Sequence, residues 1–362
     1  MGNTLFRCTI GYLSNIINQP LVLPRTASLN ITSKCNSKCG YCDIWKHNQA
    51  QAGDEPTLTE LTKLSSSLKK LGVKEITLSG GEPLLRHDLE EILAVFTQQK
   101  MRVRLITNGI LLSKDRMERL IKAGLQYIGL SLDTFNSEIY QKLRGVKFEL
   151  AEQALDSINY GIYLNPQLNV GVNCVITRYN IGELADFIFK ILGRIRGKVV
   201  IIFQGYMKVP GRKEDDMLPG EDMYPVLMNE IKQLIKMKNH GIPILNSSQY
   251  LRKIPDYLIH NQLNGDFSCQ AGYKTVTINE KLQLYPCHYL PMIGDLREQS
   301  LEEIWFSRKM QTERYKMLKG RCQGCLCISY RDKLLSPYHK IILMLNGIRL
   351  QKAMMKNKAE YK

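Results

Sequence analysis

Cys35, Cys39 and Cys42 stand on one short stretch, "NITSKCNSKCGYCDIWK", with spacing C-x3-C-x2-C. A cuboidal [4Fe–4S] cluster normally takes four thiolates, one per iron. Three thiolates would leave one iron open to an outside ligand, as catalytic zinc sites keep an open position. Such an iron could chelate a small molecule and pass it an electron. Zinc is the competing reading, and it would need a fourth ligand, for which His47 is close enough in sequence. Spacing alone leaves both open.

A second group comprises Cys269 and Cys287, with seventeen residues between them, then Cys322, Cys325 and Cys327 as C-x2-C-x-C. Disulfides rarely persist in the cytosol, so this grouping points to metal or cluster ligation. A hairpin between Cys269 and Cys287 would bring those two together, and the C-x2-C turn would complete four ligands. Structural zinc and iron–sulfur both satisfy that pattern. Cys8 and Cys174 stand apart and read as buried apolar thiols.

The elements that must position these thiols follow from hydropathy. The β-rich runs "ASLNIT", "EITLSG", "VRLITNG", "QYIGLSLD", "LNVGVNCVIT" and "KVVIIFQG" alternate with amphipathic stretches between residues 26 and 206. Their apolar, β-branched character predicts parallel strands buried on both faces. Six β–α units predict an α/β fold, a partial (β/α)6 TIM-like barrel with right-handed crossovers. Ligands then gather at the C-terminal strand ends.

Four features lie at or near those ends: Gly80, Gly81 and Glu82 in "LSGGEPLL", Thr107 and Asn108 in "ITNG", Ser131 to Asp133 in "SLD", and Asn173. Singly, each reads as a turn or helix-start signal. Past residue 206 the pattern changes. "MKVPGRKEDDMLPGEDMYP" reads as a charged loop over the barrel mouth, with Tyr206, Arg212, Asp215 and Asp216 as candidate substrate contacts or a solvated lid. A helix near Tyr224 to Asn239 and a hairpin around "NEK" follow. The expected organisation is a leader at 1–23, a core at 24–240, a cysteine-rich hairpin and helix domain at 241–330, and a tail at 331–362.

These motifs, in this order, resemble the radical S-adenosylmethionine (SAM) superfamily, whose hallmark is CxxxCxφC with φ aromatic, here Tyr41. The resemblance spans about residues 24 to 206. It implies that SAM chelates the open iron through its methionine amine and carboxylate. Reductive cleavage then yields a 5′-deoxyadenosyl radical that abstracts hydrogen from a substrate. It further implies cofactor contacts from Tyr41 beside the adenine, the Gly80–Gly81–Glu82 motif beside the SAM ammonium, Thr107, Asn108, Ser131 and Asn173. The electron donor is expected to be of flavodoxin or ferredoxin type.

The segment from Cys269 to Cys325 resembles the SPASM/twitch extension, which carries auxiliary [4Fe–4S] clusters. Two departures matter: Lys281 and Leu282 stand where the family's hairpin has glycine, and the further cysteines of a full SPASM domain are missing. The resemblance therefore implies one auxiliary cluster, on Cys269, Cys287, Cys322 and Cys325. Cys327 is a substitute ligand, a catalytic hydrogen-atom donor or a buried thiol. An electron-accepting auxiliary cluster implies oxidation or crosslinking; a thiol donor such as Cys327 or Cys174 implies epimerisation. Relatives act on peptides, sugars and cofactor precursors.

Composition narrows the field. The formal charge of +16 is spread along the chain without an aromatic-interleaved basic stripe, so nucleic acid is not the expected partner. No apolar run is long enough to span a membrane and no signal peptide is evident, so the expectation is a cytoplasmic chain. The basic, amphipathic tail fits a helix packed on its own domain or peripheral contact with an anionic membrane. The latter would admit a lipid or lipid-linked glycan substrate. The rival class, a non-catalytic iron–sulfur or zinc protein, leaves the strand-end motifs unexplained.

Overall fold

Alternation along each strand sets the architecture. The computed structural model describes residues 23–47, 55–208, 216–261, 269, 271–318 and 325–327. Strands β1 (Thr26–Thr32), β2 (Glu75–Gly80), β3 (Arg102–Thr107), β4 (Tyr127–Ser131), β5 (Asn169–Ile176) and β6 (Val199–Gly205) pair in parallel, each with its predecessor. The helices between them are α1 (Leu58–Lys70), α2 (Leu89–Gln98), α3 (Lys114–Lys122), α4 (Ser137–Arg144), α5 (Glu149–Leu164) and α6 (Leu184–Arg194). This is the partial (β/α)6 barrel expected from the sequence. Local signals agree with it: Thr57 and Glu60 form a capping box on α1, and Ser113 and Asn136 cap α3 and α4.

The strands are not apolar on both faces. On β1, Ala27, Leu29 and Ile31 are buried outward against the helices, while Thr26, Ser28 and Asn30 alternate with them half-buried. Glu75, Thr77 and Ser79 repeat the pattern on β2, and Arg104 and Ile106 on β3. The outer layer is the packed core, worth roughly 1.5–3 kcal/mol per fully buried aliphatic side chain. The inner layer lines a polar lumen, which apolar run length alone does not reveal.

Two further helices, α7 (Tyr224–Asn239) and α8 (Ser248–His260), follow β6. The β6 edge is occupied by residues 243–246: Ile201 donates to the Pro243 carbonyl, and Asn246 makes paired bonds of 2.8 Å with the Phe203 backbone. The hairpin β7 (Thr275–Ile278) and β8 (Gln283–Tyr285) does not form a separate sheet. β7 pairs in parallel with β1, so the order is β6-β5-β4-β3-β2-β1-β7-β8-β9, where β9 is Gly294–Asp295. Leu282, at the hairpin turn, is in left-handed backbone, φ +59°, a conformation that glycine adopts more readily. Helices α9 (Leu301–Phe306) and α10 (Arg308–Leu318) follow. Among the described residues no helix is long and apolar enough to cross a membrane. The 331–362 tail, Cys8, Arg212 and Asp215 lie outside the described residues.

Candidate active site

The thiol loop leaves the end of β1 and is pinned at three places. The first is the GGE turn: Gly81 donates to the Thr32 carbonyl and Glu82 to that of Lys34, both at 2.8 Å. A side chain on Gly80 or Gly81 would run into the carbonyls of Thr32 or Lys34. The two glycines therefore let β2 abut the backbone that launches the loop.

Glu82 organises the second anchor. Its fully buried carboxylate accepts from the Leu84 amide at 3.0 Å, the Thr107 hydroxyl at 2.6 Å and the Asn108 amide at 2.7 Å. Burial pushes its pKa above the usual value, while these three bonds pull it down. Asn108 then donates from its side chain to Asn36, within the loop, at 2.9 Å. Thr107 also accepts from the Gly109 amide. Glu82, Thr107 and Asn108 thus spend side-chain bonds on one another and on the loop.

The third anchor is the α4 corner. The Lys38 and Gly40 amides donate to the Arg144 and Leu143 carbonyls, and the Ser37 hydroxyl donates to Arg144 at 2.6 Å. Arg144 grips Asp133 through two bonds, of 2.7 and 3.0 Å, and the Tyr41 hydroxyl donates to Asp133 at 2.8 Å. The Arg144 guanidinium lies 5.3 Å from the Tyr41 ring. Tyr41 is thus held by its phenol.

Cys39 is buried; Cys35 and Cys42 are half-buried. Burial pushes the Cys35 thiol up to about 11, reinforced by the charges of Cys39, Glu82 and Cys42. The Cys42 thiol is raised mainly by burial, with Cys39 contributing. Thiols close enough to oppose one another's ionisation suit a cation that deprotonates them on binding. Among the described residues no three His, Cys, Asp or Glu side chains close around a single metal ion. His47 ends the turn Ile44–His47, and its side chain lies outside the description.

Ser131 ends β4 half-buried, in register with Asn173. The Asn173 amide nitrogen is buried with no hydrogen-bond partner. Cys174 is fully buried, its thiol directed at the Asp133 carbonyl, as expected for a structural thiol. Tyr206 is buried, and Asp216 accepts from the Tyr179 hydroxyl, so neither is a free lid contact.

The second cysteine group gathers at the barrel's open seam. Cys269 and Cys287 are buried with Ala271 and Met317, and Cys327 packs against them. Tyr289 is pushed up by burial and by the nearby thiols of Cys325, Cys327 and Cys287. Cys322 lies outside the described residues. Between Cys325 and Cys327, the Leu326 carbonyl accepts from Gln204 on β6 at 2.6 Å and from Tyr250 on α8 at 2.8 Å. One part of the set thus follows the β7 side of the seam and the other is tied to the β6 side. Cys327 also lines a cavity of about 240 Å³ in the lumen, with Asn173, Arg104 and His288.

Sequence reasoning did not find Arg144, which falls in a segment read as no element, nor the role of Gln204 and Tyr250. Asp133 was visible only as the last letter of a strand-end motif.

A three-thiol loop on the rim of a partial barrel, braced by GGE and TNG turns, defines the radical SAM class. Residues 29–190 match the model of the radical SAM superfamily, and residues 269–326 match SPASM, an iron–sulfur cluster-binding domain. The chain belongs to the radical SAM superfamily, as an enzyme of its SPASM type. An AdoMet-dependent heme synthase from Methanosarcina barkeri is 27% identical over 322 residues, covering 83% of this chain and 88% of that protein. A PqqA peptide cyclase from Rhizobium meliloti is 26% identical over 300 residues, covering 79% and 75%. Native anSMEcpe, solved with AdoMet and a Cp18Cys peptide, superposes with a TM-score of 0.61 at 16% identity, covering 94% of this chain and 100% of that one. The cofactors are SAM, the [4Fe–4S] cluster that binds it, and an auxiliary cluster.

Proposed function

We propose that this enzyme modifies a side chain of a peptide inside the lumen. Cys35, Cys39 and Cys42 hold the SAM-binding cluster, and Cys269, Cys287, Cys322 and Cys325 hold the auxiliary one. When bound, cluster and SAM supply a carbon radical that removes a hydrogen atom from the substrate. The chain's own residues do the positioning. Glu82, Thr107 and Asn108 frame the rim, while Gly80 and Gly81 bring backbone close. Ser131 and Asn173 offer polar groups towards SAM, and Tyr41 sets the loop against its adenine. A flavodoxin- or ferredoxin-type protein donates the electron.

The observation that carries this reading is Cys327. It touches the auxiliary thiols and lines the same cavity as Asn173, so the auxiliary site adjoins the space where substrate would react. Two of the similar proteins are named for, or were solved with, peptides. A chamber of about 240 Å³ suits one side chain better than a macrocycle, since pockets for drug-sized ligands run to roughly 300–1,000 Å³.

Anaerobic reconstitution with iron and sulfide, followed by dithionite and SAM, tests it. The expected result is 5′-deoxyadenosine, lost in Cys35→Ala together with one cluster's iron. No 5′-deoxyadenosine, with iron content unchanged in Cys35→Ala, would sink the reading.

A further inference from the structure

Below the rim, the lumen carries charged chemistry that neither cluster uses. Tyr127 and Arg104 are partners across β3 and β4, and Tyr127 lies four residues, about 13 Å at 3.3 Å per residue, beneath Ser131. The Arg104 guanidinium stacks over the Tyr127 ring at 4.2 Å and donates to Glu75 at 3.1 Å. Arg102 also reaches Glu75, at 3.2 Å. One carboxylate thus serves two guanidiniums, Arg104, which lines the lumen, and Arg102, whose side chain is 70% exposed. The charged residues lining the cavity are Glu75 and Arg104; the other polar lining is Thr26, Ser28, Thr77, Thr275, Asn173 and His288.

Three buried polar atoms there have no hydrogen-bond partner: Arg104 Nε, the Tyr127 hydroxyl and Asn173 Nδ2. A buried unmet donor costs about 1–3 kcal/mol, so the two on residues that line the chamber, Arg104 and Asn173, carry a cost that a ligand's oxygen atoms would offset. The chain also makes room for this arrangement. A side chain on Gly171 would collide with the Tyr127 phenol, and one on Gly129 would meet Ile106 at 2.5 Å and Asn173 at 3.0 Å.

We propose that the lumen floor formed by Arg104 and Tyr127, with Asn173 on the wall above, is a specificity site that receives a carboxylate group of the substrate. Arg104 supplies charge and its Nε–H and Tyr127 a hydroxyl, while Asn173, between SAM and the floor, adds its amide N–H. The proposal rests on the preceding reading that substrate enters the lumen. It adds that the peptide presents an acidic side chain or a free C-terminus beside the reacting residue. A site built to hydrogen-bond a group rejects analogues that lack it far more strongly than an apolar pocket rejects a size change.

The test is ligand-observed NMR on the reconstituted full chain at 0.15 M salt. Four probes are used: N-acetyl-glutamate amide, N-acetyl-aspartate amide, N-acetyl-glutamine amide, and N-acetyl-alanine as free acid. The acids should bind at least tenfold tighter than the glutamine amide. Preference for the first two marks a side-chain carboxylate; preference for the last marks a C-terminus. Arg104→Met should abolish the discrimination, Arg104→Lys should keep part of it, and Tyr127→Phe should weaken acid binding severalfold. Because Arg104→Met leaves Glu75 with the exposed Arg102 as its ion-pair partner, the charge-balanced pair Glu75→Gln/Arg104→Met decides the matter if the single variant fails to fold. Equal binding of acid and amide, or a preference surviving in either Arg104→Met background, overturns the proposal. SAM cleavage assayed without probe keeps the two readings apart. Lost cleavage with intact acid preference counts against the radical reading alone.

Discussion

Asp133 and Arg144 form a two-point ion pair, 2.7 and 3.0 Å, with the Asp133 side chain fully buried and the Arg144 side chain 7% exposed. The pair joins the end of β4 to the corner whose carbonyls hold the thiol loop. Removing one partner of a buried pair leaves an uncompensated charge and costs roughly 3–5 kcal/mol. Arg144→Met should therefore lower the urea midpoint sharply and, in whatever protein remains folded, reduce iron retained at the first cluster. Normal iron content after reconstitution would show that the loop does not depend on this corner.

Glu82 sets a pH dependence of its own. Burial raises its folded-state pKa above the ordinary 4.5, so between those two values the folded state binds more proton than the unfolded state. Its contribution to stability therefore falls as pH rises through that window and stays low above it. Glu60 and Asp88, whose folded values are lowered, work in the opposite sense, so wild type alone will not show the effect. The informative quantity is the stability of wild type minus that of Glu82→Gln, by urea unfolding of the cluster-free chain from pH 4 to 7. The difference should decline with rising pH. A difference that grows would refute the burial argument.

Gly171 and Tyr127 make a second coupled pair. A methyl at residue 171 meets the phenol oxygen directly, so Gly171→Ala should overpack the lumen by about 1–3 kcal/mol. Tyr127→Phe removes the atom in the way. The double variant should recover part of the loss, giving a non-zero coupling energy in a thermal-denaturation cycle. Simple additivity would mean that the phenol moves aside freely.

Much of this was legible in the sequence because periodicity and thiol spacing are local. The six strands, the helix Tyr224–Asn239 and the hairpin flanked by Cys269 and Cys287 all form where hydropathy and turn residues place them. Helices α4 and α8 escaped, and α9 and α10 were foreseen only as an unplaced helical part of the cysteine-rich domain. α4 is eight residues long, with little apolar stripe to read, and α8 carries Pro255, which looks like a break. The lumen was misjudged because a strand's two faces alternate, and Thr26, Ser28, Glu75 and Arg104 are hidden among Leu and Ile neighbours. Arg144 could not be matched to Asp133 from sequence alone. Their meeting depends on how α4 returns to the rim, which is a tertiary fact.

Leu326 supplies the last prediction. Its carbonyl accepts from both Gln204 and Tyr250, and these bonds tie residues 325–327 to the barrel. Each is worth about 0.5–1.5 kcal/mol, so Gln204→Leu or Tyr250→Phe alone should leave the segment docked and the iron content near wild type. Together they strand a buried carbonyl and free the segment that carries Cys325 and Cys327. The double variant should then fall from about eight irons per chain to about four, given one cuboidal cluster at each site. It should still cleave SAM, because the first cluster is braced by Glu82, Asn108 and Arg144 on the far rim. Loss of both clusters together would mean that the seam and the rim are one cooperative unit. Full iron in the double variant would mean that Cys269, Cys287 and their partners hold the auxiliary cluster without help from the barrel.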